Sequence, residues 1–313
     1  MRRSSLFLSL CLSVAAGPLL AGPPLAYVPN EKTASISVID TQTDRKLADI
    51  VVGQRPRGGA VGAGRLYLTD AKAGKLLIVD TASGKLLRSV ALGDSPEGIS
   101  LSADGKLIAV AVEDDNSVVL LSAPEGRELG RIKVQGRNPE HAVFSPDGRW
   151  LYVSAEEAEQ VDVVDVAARQ QVASIAVGKR PRGIGFLPDG SRAYVACEMA
   201  GKVYAIDVAT RKVVAEIVAG QYPNGVAVHP DGQKVFVSNG RDATVMAIET
   251  AGNTVAATVE VGKRPWNMAL TPDGGKLYVA NGRSNSVSVI DTASFKALAT
   301  IEVGELPWGV SIR

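Results

Sequence analysis

The 313-residue sequence predicts an all-β fold: a seven-bladed β-propeller of four-stranded antiparallel blades, its ring closed by a C-terminal strand that completes the N-terminal blade. Three observations predict it. A Gly-x-x-Pro element recurs seven times, beginning at Gly53, Gly93, Gly136, Gly178, Gly220, Gly262 and Gly304, with spacings of 40, 43, 42, 42, 42 and 42 residues. An Asp-Gly turn follows five of these elements, ending at Gly105, Gly148, Gly190, Gly232 and Gly274. Finally, the repeat opens in a second strand and stops in a first strand, so the two ends complement each other.

The first segment stands outside the repeat. "MRRSSLFLSLCLSVAAGPLLAG" places Arg2 and Arg3 before an apolar run from Leu6 to Leu20 and then small residues, the layout of a secretory signal peptide. Cleavage is expected after Ala21, leaving 22–313 as a periplasmic propeller. No later stretch approaches the ~18 apolar residues of a spanning helix. Cys11 leaves with the leader. Cys197 then has no partner for an intrachain disulfide and is expected to be a small buried hydrophobe. Without Arg2 and Arg3, 32 basic residues face 33 acidic ones. Near-neutral charge argues against a polyanion binder driven by bulk charge.

The elements follow in order within each unit. "AYVPN" (26–30) is the second strand of the first blade, whose first strand must come from the far end, "PWGVSIR". In later units a short first strand such as "GVAV" (225–228) leads into the Asp-Gly turn, where Gly takes the left-handed position. A second strand such as "KLYVAN" (276–281), a polar loop, a third strand "VSVIDT" (287–292) and a fourth "ALATIEV" (297–303) complete the unit. Period-2 alternation marks the strands, and no stretch sustains helical periodicity.

In this arrangement the loops joining fourth to first strands, and second to third, share one face. The Gly and Pro of the repeat serve the backbone, so the position after Pro carries the information. It reads Arg57, Glu97, Glu140, Arg182, Asn224, Trp266 and Trp308 around the ring. The next position is Gly in five units, but His141 and Asn267 in two. Arg180 and Arg264 precede the Pro in their units, whereas Lys179 lies further out and is expected to be solvated. The acids of the third and fourth units and the arginines of the others are expected to segregate to opposite sides of this mouth. Trp266 and Trp308, neighbours on the ring, offer a platform for a planar ligand.

The second strands "YVPN", "YVSA", "YVAC", "FVSN" and "YVAN", with "VIDT" and "IVDT" on the third, resemble the YVTN family of propeller repeats over the whole mature chain. Length, repeat number and leader resemble the subgroup of PQQ-dependent catabolism-associated β-propeller proteins. That resemblance implies a binding module serving exported quinoprotein alcohol oxidation. With no His/Cys metal cluster, Ser-His-Asp set or phosphate-binding glycine loop in the sequence, it is expected to be non-catalytic, and it is expected to be a monomer. Its implied partners are a quinoprotein dehydrogenase, a cytochrome c or ABC-exporter components. PQQ itself, a planar tricarboxylate, is a ligand that Arg57, Arg182, Arg264, Trp266 and Trp308 would suit. A second class is an enzyme. "NPEHAVFSPDGRWLYVSAEE" (138–157) is similar to a motif of seven-bladed lactonases, which implies His141 as general base with Glu156, although Glu140 stands where that motif has Arg. Two His in the whole chain argue against zinc chemistry and haem ligation, and near-neutral charge argues against single-stranded DNA. A cation held by Glu97, Glu140 and Asp114 remains an open reading.

Overall fold

The computed structural model describes residues 24–313, so the expected leader lies outside the described residues. These residues form seven four-stranded antiparallel sheets arranged as blades I to VII. Blade I comprises Leu25–Asn30, Ser35–Asp40 and Arg45–Val51, with Ser311–Ile312 as its innermost strand. Blades II to VII begin at Pro56, Pro96, Pro139, Pro181, Pro223 and Pro265. Closure is as the sequence predicts: Ala26 pairs with Ile312 and Tyr27 with Ser311, and a bridge joins Asn30 to Pro307. No helix long and apolar enough to cross a membrane occurs among the described residues.

The Asp-Gly turns behave as expected, with φ of 69–74° at the five glycines. Blade II lacks such a turn and uses a two-residue hairpin instead. Ala63 (φ 50°) and Gly64 (φ 70°) both take the left-handed region that matches strand twist.

Second and third strands depart from simple alternation. Leu151–Ala155 and Val161–Val164 are buried throughout, because both faces of a blade pack against neighbouring blades. The third residue of the second strand fills that seam: Tyr67, Tyr152, Tyr194, Phe236 and Tyr278 are fully buried. Tyr152 meets Phe186 of blade V edge-on at 4.8 Å. Each such ring contributes roughly 1.5–3 kcal/mol by burial. The fourth strands form the exposed rim. Cys197 is fully buried among Tyr152, Val195 and Ile206.

Candidate functional site: the charged mouth of the propeller

The local backbone explains why the residues after Pro converge. The residue before Pro adopts positive φ in six units, including Arg180 (58°), Tyr222 (59°) and Arg264 (56°). A non-glycine residue pays strain there, offset by a repeated hydrogen bond. The carbonyl of the residue before Pro accepts the N–H of the residue just past the second strand, as in Glu198 N–H to Arg180 O at 2.8 Å. That bond clamps the two loops of a blade together. The following Gly lets blades close on the axis: a Cβ on Gly98 would lie 2.6 Å from the Glu140 carbonyl, and one on Gly183 would lie 2.5 Å from that of Asn224.

The clamp sets a second ring beside the first. Past the second strands stand Glu31, Ala71, Glu113, Glu156, Glu198, Gly240 and Gly282. Together the rings line a cavity of about 460 Å³ that includes Arg57, Glu140, Arg182, Asn224, Trp266, Asn267 and Trp308. The sequence reading therefore found the residues after Pro and missed Glu31 and Glu198. The signal was present: four of seven positions immediately after the second strand are Glu.

At the centre of the mouth the expected segregation of charge fails, because acids and arginines interleave there as ion pairs. Arg57 pairs with Glu97 and lies 3.4 Å from Glu31. Arg182 pairs with Glu156 and lies 3.2 Å from Glu140 and 3.3 Å from Glu198. Arg180 reaches Glu156 at 3.1 Å and Glu198 at 3.2 Å, and Arg264 reaches Glu198 at 2.6 Å. The acids lie deep: Glu97 has no exposed surface, and Glu198 and Glu140 expose 3% and 6%. Burial of an unpaired charge is prohibitive, so the arginines are the condition for these carboxylates to sit there.

Burial, reinforced by the neighbouring Glu140 carboxylate, pushes the Glu97 carboxyl up to about 7. Burial pushes Glu113 up as well. Burial also opposes ionisation of Glu140, but Arg182 and the neighbouring cationic groups outweigh it and hold the carboxyl below its ordinary value. On lowering the pH the pair takes its first proton on Glu97.

His141 and Asn267 sit on the axial side of the mouth, around a small cavity of about 130 Å³ shared with Trp308. Burial lowers the His141 pKa, so the imidazole is neutral at physiological pH, and its Nδ1 has no hydrogen-bond partner among the described residues. Trp308 stacks on His141 and its carbonyl accepts the Asn267 N–H at 3.3 Å. Trp266 lies over Gly282, where a Cβ would come within 2.5 Å of the ring. The two indoles thus have separate partners and do not form the platform expected from their positions on the ring.

Two ligand expectations can be tested on this geometry. PQQ does not fit the mouth as expected: Arg57, Arg182 and Arg264 already hold buried glutamates, and Trp308 is covered by His141. For a cation, Glu113, Glu140 and Glu156 bring oxygens within 4.8 Å of one another, so of the expected set only Glu140 takes part, with Glu113 and Glu156 in place of Glu97 and Asp114. Arg182 already supplies positive charge to Glu140 and Glu156.

Fold and mouth together define a seven-bladed propeller with a polar, charge-compensated axial site. The chain belongs to the lactonase family of seven-bladed β-propellers: the family model "Lactonase, 7-bladed beta-propeller" matches residues 23–172 and 167–296. A chain of hydrazine synthase from Kuenenia stuttgartiensis is similar in structure, with a TM-score of 0.76 at 21% identity over 90% of this chain and 99% of that one. A functionally unknown protein from Desulfotomaculum acetoxidans gives 0.80 at 17% identity over 92% and 98%. At such identities the likeness is one of fold. No curated protein matches the chain in sequence.

Proposed function

We propose that this propeller is an exported, non-catalytic binding protein of PQQ-dependent alcohol oxidation, and that its mouth docks a polar loop of a quinoprotein dehydrogenase. The observation that carries this reading is the buried, two-signed network around Arg182, Glu140, Glu156 and Glu198. Small-molecule pockets are mostly apolar with a few polar groups. This mouth is the reverse, and a surface of both signs suits electrostatic registration of a partner. The resemblance of the repeats and leader to the PQQ-associated subgroup supports the choice of partner. The test is immobilisation of the mature protein and titration with a purified quinoprotein alcohol dehydrogenase at low and high salt. Saturable, salt-weakened binding that Arg182→Ala reduces is expected; no saturable binding at either salt sinks the reading.

Family membership favours a second reading, lactone hydrolysis with His141 as base. A neutral imidazole suits that role. Glu156, however, is held by Arg180 and Arg182, and Trp308 covers the ring. A lactone-hydrolysis assay of wild type against His141→Ala decides it, since activity lost in the variant would establish catalysis.

A further inference from the structure

Off the axis, among the mouth-face loops of blades V, VI and VII, lies a larger cavity of about 780 Å³. Its lining carries Arg180, Arg241, Lys263, Arg264 and Arg283 against a single acid, Glu198. Arg180 and Arg264 are committed to Glu198. Arg241, Lys263 and Arg283 are exposed, and none makes an ion pair among the described residues. The acid nearest in sequence, Asp242, instead accepts the Gln221 backbone N–H at 2.7 Å. Three like charges gathered on one rim repel one another, a cost that an anion would remove.

The repeat shows how the groove arises. The pair of residues after the second strand reads Glu31-Lys32, Ala71-Lys72, Glu113-Asp114, Glu156-Glu157 and Glu198-Met199 in blades I to V, then Gly240-Arg241 and Gly282-Arg283. Two units thus have Gly at a position that is Glu in four others, and Arg beside it. The glycines also make room. A Cβ on Gly240 would meet the Arg264 guanidinium at 3.0 Å. The loops that carry the cations are fixed by backbone: Arg283 N–H donates to Lys263 O at 3.0 Å and Arg241 N–H to Gln221 O at 3.1 Å. On the groove wall the Tyr222 ring has the guanidinium groups of Arg241 and Arg264 at 5.6 and 5.5 Å from its centroid. Met199, 56% exposed, adds apolar surface.

We infer that this groove is a binding site for a small, flat, multiply charged anion: a ring bearing two or more oxyanion groups. Arg241, Lys263 and Arg283 take the oxyanions, with guanidinium forks suited to carboxylate or phosphate. Met199 offers the ring apolar surface, and Tyr222 holds the Arg241 and Arg264 guanidinium groups at the groove wall. The inference stands apart from partner docking, because none of the three free cations belongs to the Arg182 network.

Calorimetric titration of the mature protein with benzene-1,2,4-tricarboxylate and with adenosine monophosphate tests it, and neutral benzamide serves as control. Saturable binding of either anion is expected, with the tighter one identifying the oxyanion. Arg241→Ala combined with Arg283→Ala is expected to weaken it by roughly tenfold or more. Tyr222→Ala is expected to weaken it while Tyr222→Phe retains it. These are rim residues, so an unchanged melting temperature will show that the arginine variant is folded, and dehydrogenase binding should persist in it. No saturable binding of either anion, or equal binding by the double variant, overturns the inference.

Discussion

His141 and Trp308, from blades IV and I, stack across the propeller axis with ring centroids 5.6 Å apart and planes 19° from parallel. The contact joins the C-terminal segment to the far side of the ring. Trp308 is 8% exposed. Trp308→Ala removes both its buried surface and the stack, so a loss of about 3–5 kcal/mol is expected in urea unfolding. Trp308→Phe, which keeps a ring against the imidazole, should retain more than half of that.

Arg182 serves three buried glutamates at once, so its removal strands charge that cannot reach water. Arg182→Met is expected to cost about 3–5 kcal/mol. Adding Glu156→Gln should recover part of the loss, since one stranded carboxylate becomes neutral. A double-mutant cycle in urea measures the coupling. Strict additivity of the two changes would contradict the ion-pair geometry.

The blades were legible because propeller geometry is written locally. Gly178-x-x-Pro181 and Pro188-Asp189-Gly190 dictate turns whatever surrounds them, and the 42-residue period repeats them. The mouth position after Pro was legible for the same reason. Charge pairing was not, because it depends on which loops are clamped together. Arg182 and Glu198 are 16 residues apart in sequence, and the hydrogen bond from Glu198 N–H to Arg180 O is what brings their loops together. Reading the site from the Gly-x-x-Pro loops and the acids of blades III and IV left Glu31 and Glu198 out of it, and with them their pairing to Arg57 and Arg182. The fate of Trp308 was equally hidden, since its partner His141 lies across the axis and in no adjacent repeat.

Glu97 makes stability depend on pH. Its folded pKa, pushed up to about 7, lies above the ordinary carboxylate value, so the folded state holds a proton that the unfolded chain has released. Stability from this group is therefore present at low pH and lost as pH rises between about 5 and about 7. The loss is on the order of 2 kcal/mol. Urea midpoints across that range should fall for wild type, and Glu97→Gln should flatten the fall. A parallel slope in the variant would remove Glu97 as its source.

Cys197 is enclosed in the seam between blades IV and V, where burial pushes its thiol up to about 12. Neither access nor thiolate is available to a reagent in the native state. A chromogenic disulfide reagent at mildly alkaline pH should leave native protein comprising residues 22–313 unmodified and label its one thiol, Cys197, in denaturant. Rapid native labelling would show that the seam opens.

Ring closure rests on few bonds. Ser311–Ile312 is a two-residue strand, and Trp308 N–H donates to Pro29 O at 3.0 Å. Yet Leu25–Asn30, the strand they cover, is almost wholly buried, and uncovering it would present an unpaired apolar edge. Truncation after Leu306 also removes Trp308 and Val310 from the core. The truncated chain is expected to melt at lower temperature and to scatter light on heating well before the full chain does. Arg313→Ala, which keeps the backbone hydrogen bonds that Arg313 exchanges with Leu25 at 3.3 and 3.4 Å, should leave both readouts near wild type. A truncated protein that melted like the full chain would mean that six self-contained blades support the ring, and that the C-terminal strand is dispensable for closure.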